Sequence, residues 1–135
     1  MATIKNFVYC LNTDNSNDVN NVFGVLAAMT PEYIPGLFSF SVYFTVLDLD
    51  VGEYQLTLKF RDADGAVAAS VDNATINYQL DQQSNLPKEY MGLNIAVNLQ
   101  NVNITHSGLY WMDVIINGEK CGEFDIFVKG KNERL

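Results

Sequence analysis

The chain has 135 residues, of which 48% are hydrophobic and 18% charged, with a formal charge of −8 and a pI near 4.3. That length suits one domain with a core of its own, and the apolar share excludes intrinsic disorder. The negative charge repels phosphate backbones and anionic lipid, which argues against direct nucleic-acid or membrane binding.

The opening residues, Met1 to Lys5, hold no apolar signal segment, and no later run is long enough to span a membrane. A cytoplasmic location with reduced thiols is the corresponding expectation for Cys10 and Cys121. Both cysteines fall inside strand-like runs, and the sequence leaves open whether they pair. A first strand is predicted over residues 3–11, followed over 12–20 by a loop dense in Asn and Asp, whose side chains compete for backbone hydrogen bonds. Residues 22–29 follow as a strand, the short length and Gly24 weighing against a helix. Pro31 and Pro35 then mark a turn.

The clearest pattern comes next. Phe38, Phe40, Val42, Phe44 and Val46 alternate with Ser39, Ser41 and Thr45. Successive strand side chains point to opposite faces, so this spacing puts an aromatic stripe on one face and hydroxyls on the other. Tyr54, Leu56, Leu58 and Phe60 repeat the alternation, as do Met91, Leu93, Ile95, Val97 and Leu99. Between these two runs, residues 66–71 and 74–80 form either two short strands or one bent strand, and 81–88 is an exposed loop. Asn117-Gly118 separates strands over 110–116 and 119–128. Both central residues of a type I′ turn need positive φ, which Asn-Gly meets at low cost. The charged tail, 129–135, is expected to fray.

About nine strands with one apolar face each must fold into two facing layers to hide those faces. The predicted fold is a single all-β domain, a two-sheet antiparallel β-sandwich. A barrel also satisfies the pattern, but nothing marks closure.

Several segments together carry a resemblance: Phe7-Val8-Tyr9-Cys10, Val22-Phe23-Gly24-Val25, Ile34-Pro35-Gly36-Leu37-Phe38, Gly52-Glu53-Tyr54-Gln55-Leu56-Thr57-Leu58 with the turn at Asp62 to Gly65, and Gly108-Leu109-Tyr110-Trp111. In these the chain resembles an uncharacterised family of small bacterial and phage proteins, a domain of unknown function, across nearly its whole length. The resemblance implies a β-sandwich and a bacterial or phage origin, and no activity. In a phage setting it would suit an accessory protein that blocks a host factor.

Chemistry is sparse. The single histidine, His106, adjoins Ser107, but sequence neighbours do not face each other, and no Gly-x-Ser-x-Gly elbow surrounds the serine. Any Ser-His-Asp triad would have to use His106. Two distant cysteines and one histidine make no zinc site. Asp48, Asp50 and Glu53, and Asp62 with Asp64, could offer oxygen ligands to calcium, but Asp and Gly also simply make tight turns. No metal, cofactor or catalytic residue is therefore assigned. Tyr43, Trp111 and Phe127 lie off their strands' main stripes, with Leu47, Leu109 and Ile115 sharing that parity. If those faces are outside, they form an apolar contact surface. The expectation is a non-enzymatic module that self-associates or binds a protein partner through Tyr43, Trp111 and Phe127. The alternative is a module for a sugar, a nucleotide or calcium.

Overall fold

The computed structural model describes residues 2–16, 19–79 and 86–133. Nine strands fill it: β1 (Thr3–Ser16), β2 (Val19–Leu26), β3 (Ala28–Met29), β4 (Gly36–Leu47), β5 (Gly52–Asp62), β6 (Val67–Tyr78), β7 (Gly92–Ile104), β8 (Gly108–Ile116) and β9 (Glu119–Val128). They form two facing sheets, a four-stranded one in the order β2-β1-β4-β7 and a five-stranded one in the order β3-β9-β8-β5-β6. The only helical element among the described residues is a single 3₁₀ turn, Lys88–Tyr90.

The period-2 stripes become the core. Phe40, Val42, Phe44 and Val46 of β4 face Leu56, Leu58 and Phe60 of β5 and Tyr110, Met112 and Val114 of β8, all buried. Aromatic contacts cross between the layers: Phe40 meets Phe60 at 5.1 Å between ring centroids, and Phe7 of β1 stacks on Phe124 of β9 at 4.2 Å. Such pairs add to the burial of their area. Tyr9 is buried too, and its hydroxyl donates across the gap to the Phe124 carbonyl at 2.6 Å.

Connections pass repeatedly from one sheet to the other. β4 and β7 pair in one sheet, while β5, β8 and β9 adjoin in the other. The chain leaves β2 and changes sheet, so that β3 pairs in parallel with β9. At the start of β8 the Tyr110 hydroxyl donates to the His106 carbonyl, 2.9 Å away. This topology, with a tyrosine corner on the strand after the crossover, is that of an immunoglobulin-type sandwich.

Four elements depart from expectation. Residues 12–16 continue β1, and β2 begins at Val19, so the expected loop is the far end of a long hairpin in which Asn15 pairs with Asn20. Residues 22–29 divide between two sheets. β7 runs on to Ile104, whereas β6 departs from nothing: of the two alternatives left open after the Asp62–Gly65 turn, the single bent strand is the one that forms, with its bend at Asn73. The tail is tied down through residue 133, against the expected fraying: Lys129 N bonds to Met29 O, Lys131 N to Pro31 O, and the Asn132 side chain accepts from Ile34 N. Leu80 and residues 81–85 of the expected 81–88 loop lie outside the described residues.

Asparagine explains how long strands bend without breaking. Asn6, Asn73 and Asn101 have φ of 57°, 51° and 54°. Each lies where the register of its strand shifts by a residue, against β4, β5 and β4 respectively. Asn visits the left-handed region at lower cost than most residues, so it suits a β-bulge. Asn117 (φ 50°) and Gly118 (φ 79°) supply the same conformation in the β8–β9 turn, where the Asn117 side chain also accepts from Gln55 N at 2.8 Å.

Candidate functional site

Alternation along β8 and β9 sends Tyr110, Met112, Val114, Ile126 and Val128 inward. It therefore turns Leu109, Trp111, Ile115 and Phe127 to the outer face of the five-stranded sheet. Leu109 and Phe127 sit opposite each other across the ladder and remain 41% and 46% exposed. One row along, Trp111 lies between Arg61 of β5 and Asp125 of β9. The Arg61 guanidinium stands over the Trp111 ring at 5.2 Å from its centroid, a cation–π contact that leaves the indole half-buried.

Arg61 also anchors a group of four charges. Its Nε is 2.8 Å from Asp113 Oδ2 and its terminal nitrogen 2.8 Å from Glu123 Oε2. Lys120 Nζ completes the ring, 3.2 Å from Asp113 Oδ1 and 2.6 Å from Glu123 Oε2. Burial alone would push the Asp113 carboxyl up, but the hydrogen bond from Arg61 and the ammonium of Lys120 outweigh it and hold it below the ordinary range. The Lys120 hydrogen bond likewise holds Glu123 down. The result is an apolar corner with a fixed ionic border.

The three expected contact residues do not share a surface. Trp111 and Phe127 lie together on the five-stranded sheet, whereas Tyr43 projects from the outer face of the other sheet, between Val8 and Ala96. Arg61, which shapes the Trp111 corner, is missed by sequence reasoning. Its place on the polar parity of β5 is visible in the sequence, but its register opposite Trp111 is not. A further apolar groove of about 390 Å³ opens between Leu11, Leu26, Tyr33, Leu37 and Phe38, bordered by Glu32 and Lys131.

The remaining candidates have structural occupations. His106 Nε2 is 3.3 Å from Asp62 Oδ2, and its Nδ1 is 3.1 Å from Thr105 Oγ1. Asp62 Oδ1 accepts the amides of Asp64 and Ala66, each at 2.9 Å, which closes the β5–β6 turn. Ser107 bonds to the Glu133 carboxylate and accepts from Gly130 N, so its hydroxyl is directed to the tail. Asp50 pairs with Lys88 at 2.6 Å. Among the described residues, no group of three or more His, Cys, Asp or Glu side chains could hold a metal ion. Cys10 and Cys121 are both free thiols, Cys10 buried in one sheet and Cys121 partly buried in the other. No helix among the described residues is long and apolar enough to cross a membrane.

The fold and this surface define an immunoglobulin-type β-sandwich with a mixed apolar and ionic sheet face. The chain belongs to the Family of unknown function (DUF6941), whose model matches residues 7–129. No curated protein matches it. Among solved structures it is similar to the alkylpurine DNA glycosylase AlkC of Pseudomonas fluorescens, bound to DNA containing an abasic site analog, with a TM-score of 0.51 and 12% identity. That likeness covers 95% of this chain and 30% of the glycosylase chain, and concerns fold alone. An immunoglobulin-like protein from Pseudomonas aeruginosa has a TM-score of 0.47 and 12% identity, over 96% of this chain and 97% of that one.

Proposed function

We propose that the chain is a non-enzymatic protein-interaction module whose contact surface is the outer face of the five-stranded sheet around Leu109, Trp111 and Phe127. The observation that carries this reading is the exposed Leu109–Phe127 pair beside a Trp111 ring held by Arg61. Aromatic side chains near a pre-organised arginine are the residue types that dominate binding energy at interfaces, because each buries much area at little loss of freedom. The formal charge of −8 favours a partner that surrounds its own apolar contact with basic residues.

Native mass spectrometry of the chain, purified gently from cells that produce it, tests this with Phe127→Asp alongside. A retained protein mass that the substitution removes, at an unchanged urea midpoint, supports the reading. A protein mass that survives the substitution moves the contact to another surface. A small-molecule mass favours the ligand-binding alternative.

A further inference from the structure

Charge is distributed very unevenly between the two layers. The strands of the five-stranded sheet contain ten Asp, Glu, Lys or Arg residues. Those of the four-stranded sheet contain two, Lys5 and Asp14, which are of opposite sign and stand near the two ends of β1. β2, β4 and β7 carry none. For a protein of charge −8, the outer side of this sheet is a broad surface on which a second copy meets almost no like charge.

The face is also inexpensive to desolvate. Several of its polar side chains already bond to one another: Ser41 Oγ and Thr13 Oγ1 both donate to Asn98 Oδ1, at 2.5 and 3.3 Å, and Thr45 Oγ1 donates to Asn94 Oδ1 at 2.8 Å. Between these pairs runs an uncharged row in register, Val8, Tyr43 and Ala96, with Val25 of the edge strand 63% exposed nearby. Four strands roughly 4.8 Å apart, stepped so that β2 adjoins Tyr9–Ser16 of β1 and β4 adjoins Thr3–Cys10, offer roughly 700 Å² in all, with the Tyr90 ring set against Lys5 at one end. A stable contact takes roughly 800 Å² from each partner.

We propose that two copies of the chain associate face to face through the outer surface of the four-stranded sheet, across a two-fold axis near Tyr43 and Ala96. A two-fold contact places the same patch on both sides, so it must be self-complementary. A neutral face, with bonded pairs of short polar side chains on either side of the Val8–Tyr43–Ala96 row, meets that condition. A basic partner would gain nothing there, and is better served by the opposite sheet. This dimer goes beyond the interaction surface proposed above and leaves that surface free.

Sedimentation equilibrium of the full chain, from about 1 to 100 μM, tests it, with Ala96→Glu and Val25→Lys as two exposed substitutions and Phe127→Asp as the control on the other sheet. The expected result is a species of twice 15.1 kDa whose affinity changes less than about threefold between low and high salt. Ala96→Glu is expected to weaken it at least tenfold, Val25→Lys to weaken it less, and Phe127→Asp to leave it intact. A monomer throughout, or a dimer lost only in Phe127→Asp, overturns the proposal. So does a dimer that both Ala96→Glu and Val25→Lys leave unchanged while circular dichroism shows them folded.

Discussion

Asn101 donates its backbone amide to the hydroxyl of Ser39, 2.9 Å away across the β4–β7 ladder. Ser39 is the residue left out of register there, between Phe38 and Phe40. The device recurs in the other sheet, where Asn73 N donates to Thr57 Oγ1 at 3.1 Å and Thr57 is skipped between Leu56 and Leu58. In each case an Asn takes the left-handed turn, and a hydroxyl on the neighbouring strand satisfies the amide that the bulge displaces.

Substitution at these bulges should separate the conformational cost from the lost bond. Asn101→Ala is expected to destabilise by about 1 kcal/mol, since Ala enters the left-handed region less readily, whereas Asn101→Gly should be close to neutral. Ser39→Ala keeps the backbone and removes the acceptor, at about 1 kcal/mol. Urea unfolding of the three variants checks the order.

Tyr110→Phe keeps the ring in its stack on Phe60 and leaves the His106 carbonyl without its donor. The expected loss is about 1–2 kcal/mol. The same measurement on Tyr9→Phe, which uncouples β1 from the Phe124 carbonyl of β9, should give a loss in the same range or greater, because Tyr9 bridges the two sheets.

Arg61→Met should cost about 2–3 kcal/mol at neutral pH, because Asp113 is 7% exposed and would keep only Lys120. It should also change the response to acid. Asp113 and Glu123 titrate lower in the folded protein than in the unfolded chain. Their contribution is complete above the unfolded values, near 4, and disappears as pH falls through the lowered folded values. Thermal melts at pH 7, 4 and 3 should show a smaller acid-induced drop in Arg61→Met than in the wild type.

Gly92→Ala tests a very close backbone approach. A Cβ at Gly92 would lie 1.7 Å from the Val46 carbonyl oxygen, inside the β4–β7 ladder. The strands must separate to admit it, so a loss of about 3 kcal/mol or more is expected, visible as a lowered urea midpoint.

Where one face of a strand is dry and the other wet, the sequence displays the strand openly. β4, β5 and the β8–β9 hairpin are legible from alternation and Asn-Gly chemistry. The legible part of β7 stops at Leu99. Beyond it, the bulge at Asn101 moves the inward positions from odd numbers, as in Val97 and Leu99, to even ones, as in Val102 and Ile104. The outer part of the β1–β2 hairpin offers no alternation, since Asn12, Asp14 and Asn15 are all exposed polar residues in the ladder. For the candidate site, parity places Trp111 and Phe127 off the core. The division of Tyr43 onto the other layer depends on sheet membership, which is a long-range property that no local pattern carries.

The pinning of residues 28–34 by the far end of the chain has a kinetic consequence. Ile34 N meets Asn132 Oδ1 across 98 positions, and Met29 has its ladder partner only in Val128. On the ribosome, the segment that leads into β4 must wait for almost a hundred further residues before its own hydrogen bonds can form. Assembly governed by such distant pairings belongs to the slow regime of milliseconds to seconds. The end of β9 that β3 covers, Phe127 and Val128, is then paired late, and until it is, that stretch of edge stands open to a chaperone or to another nascent chain.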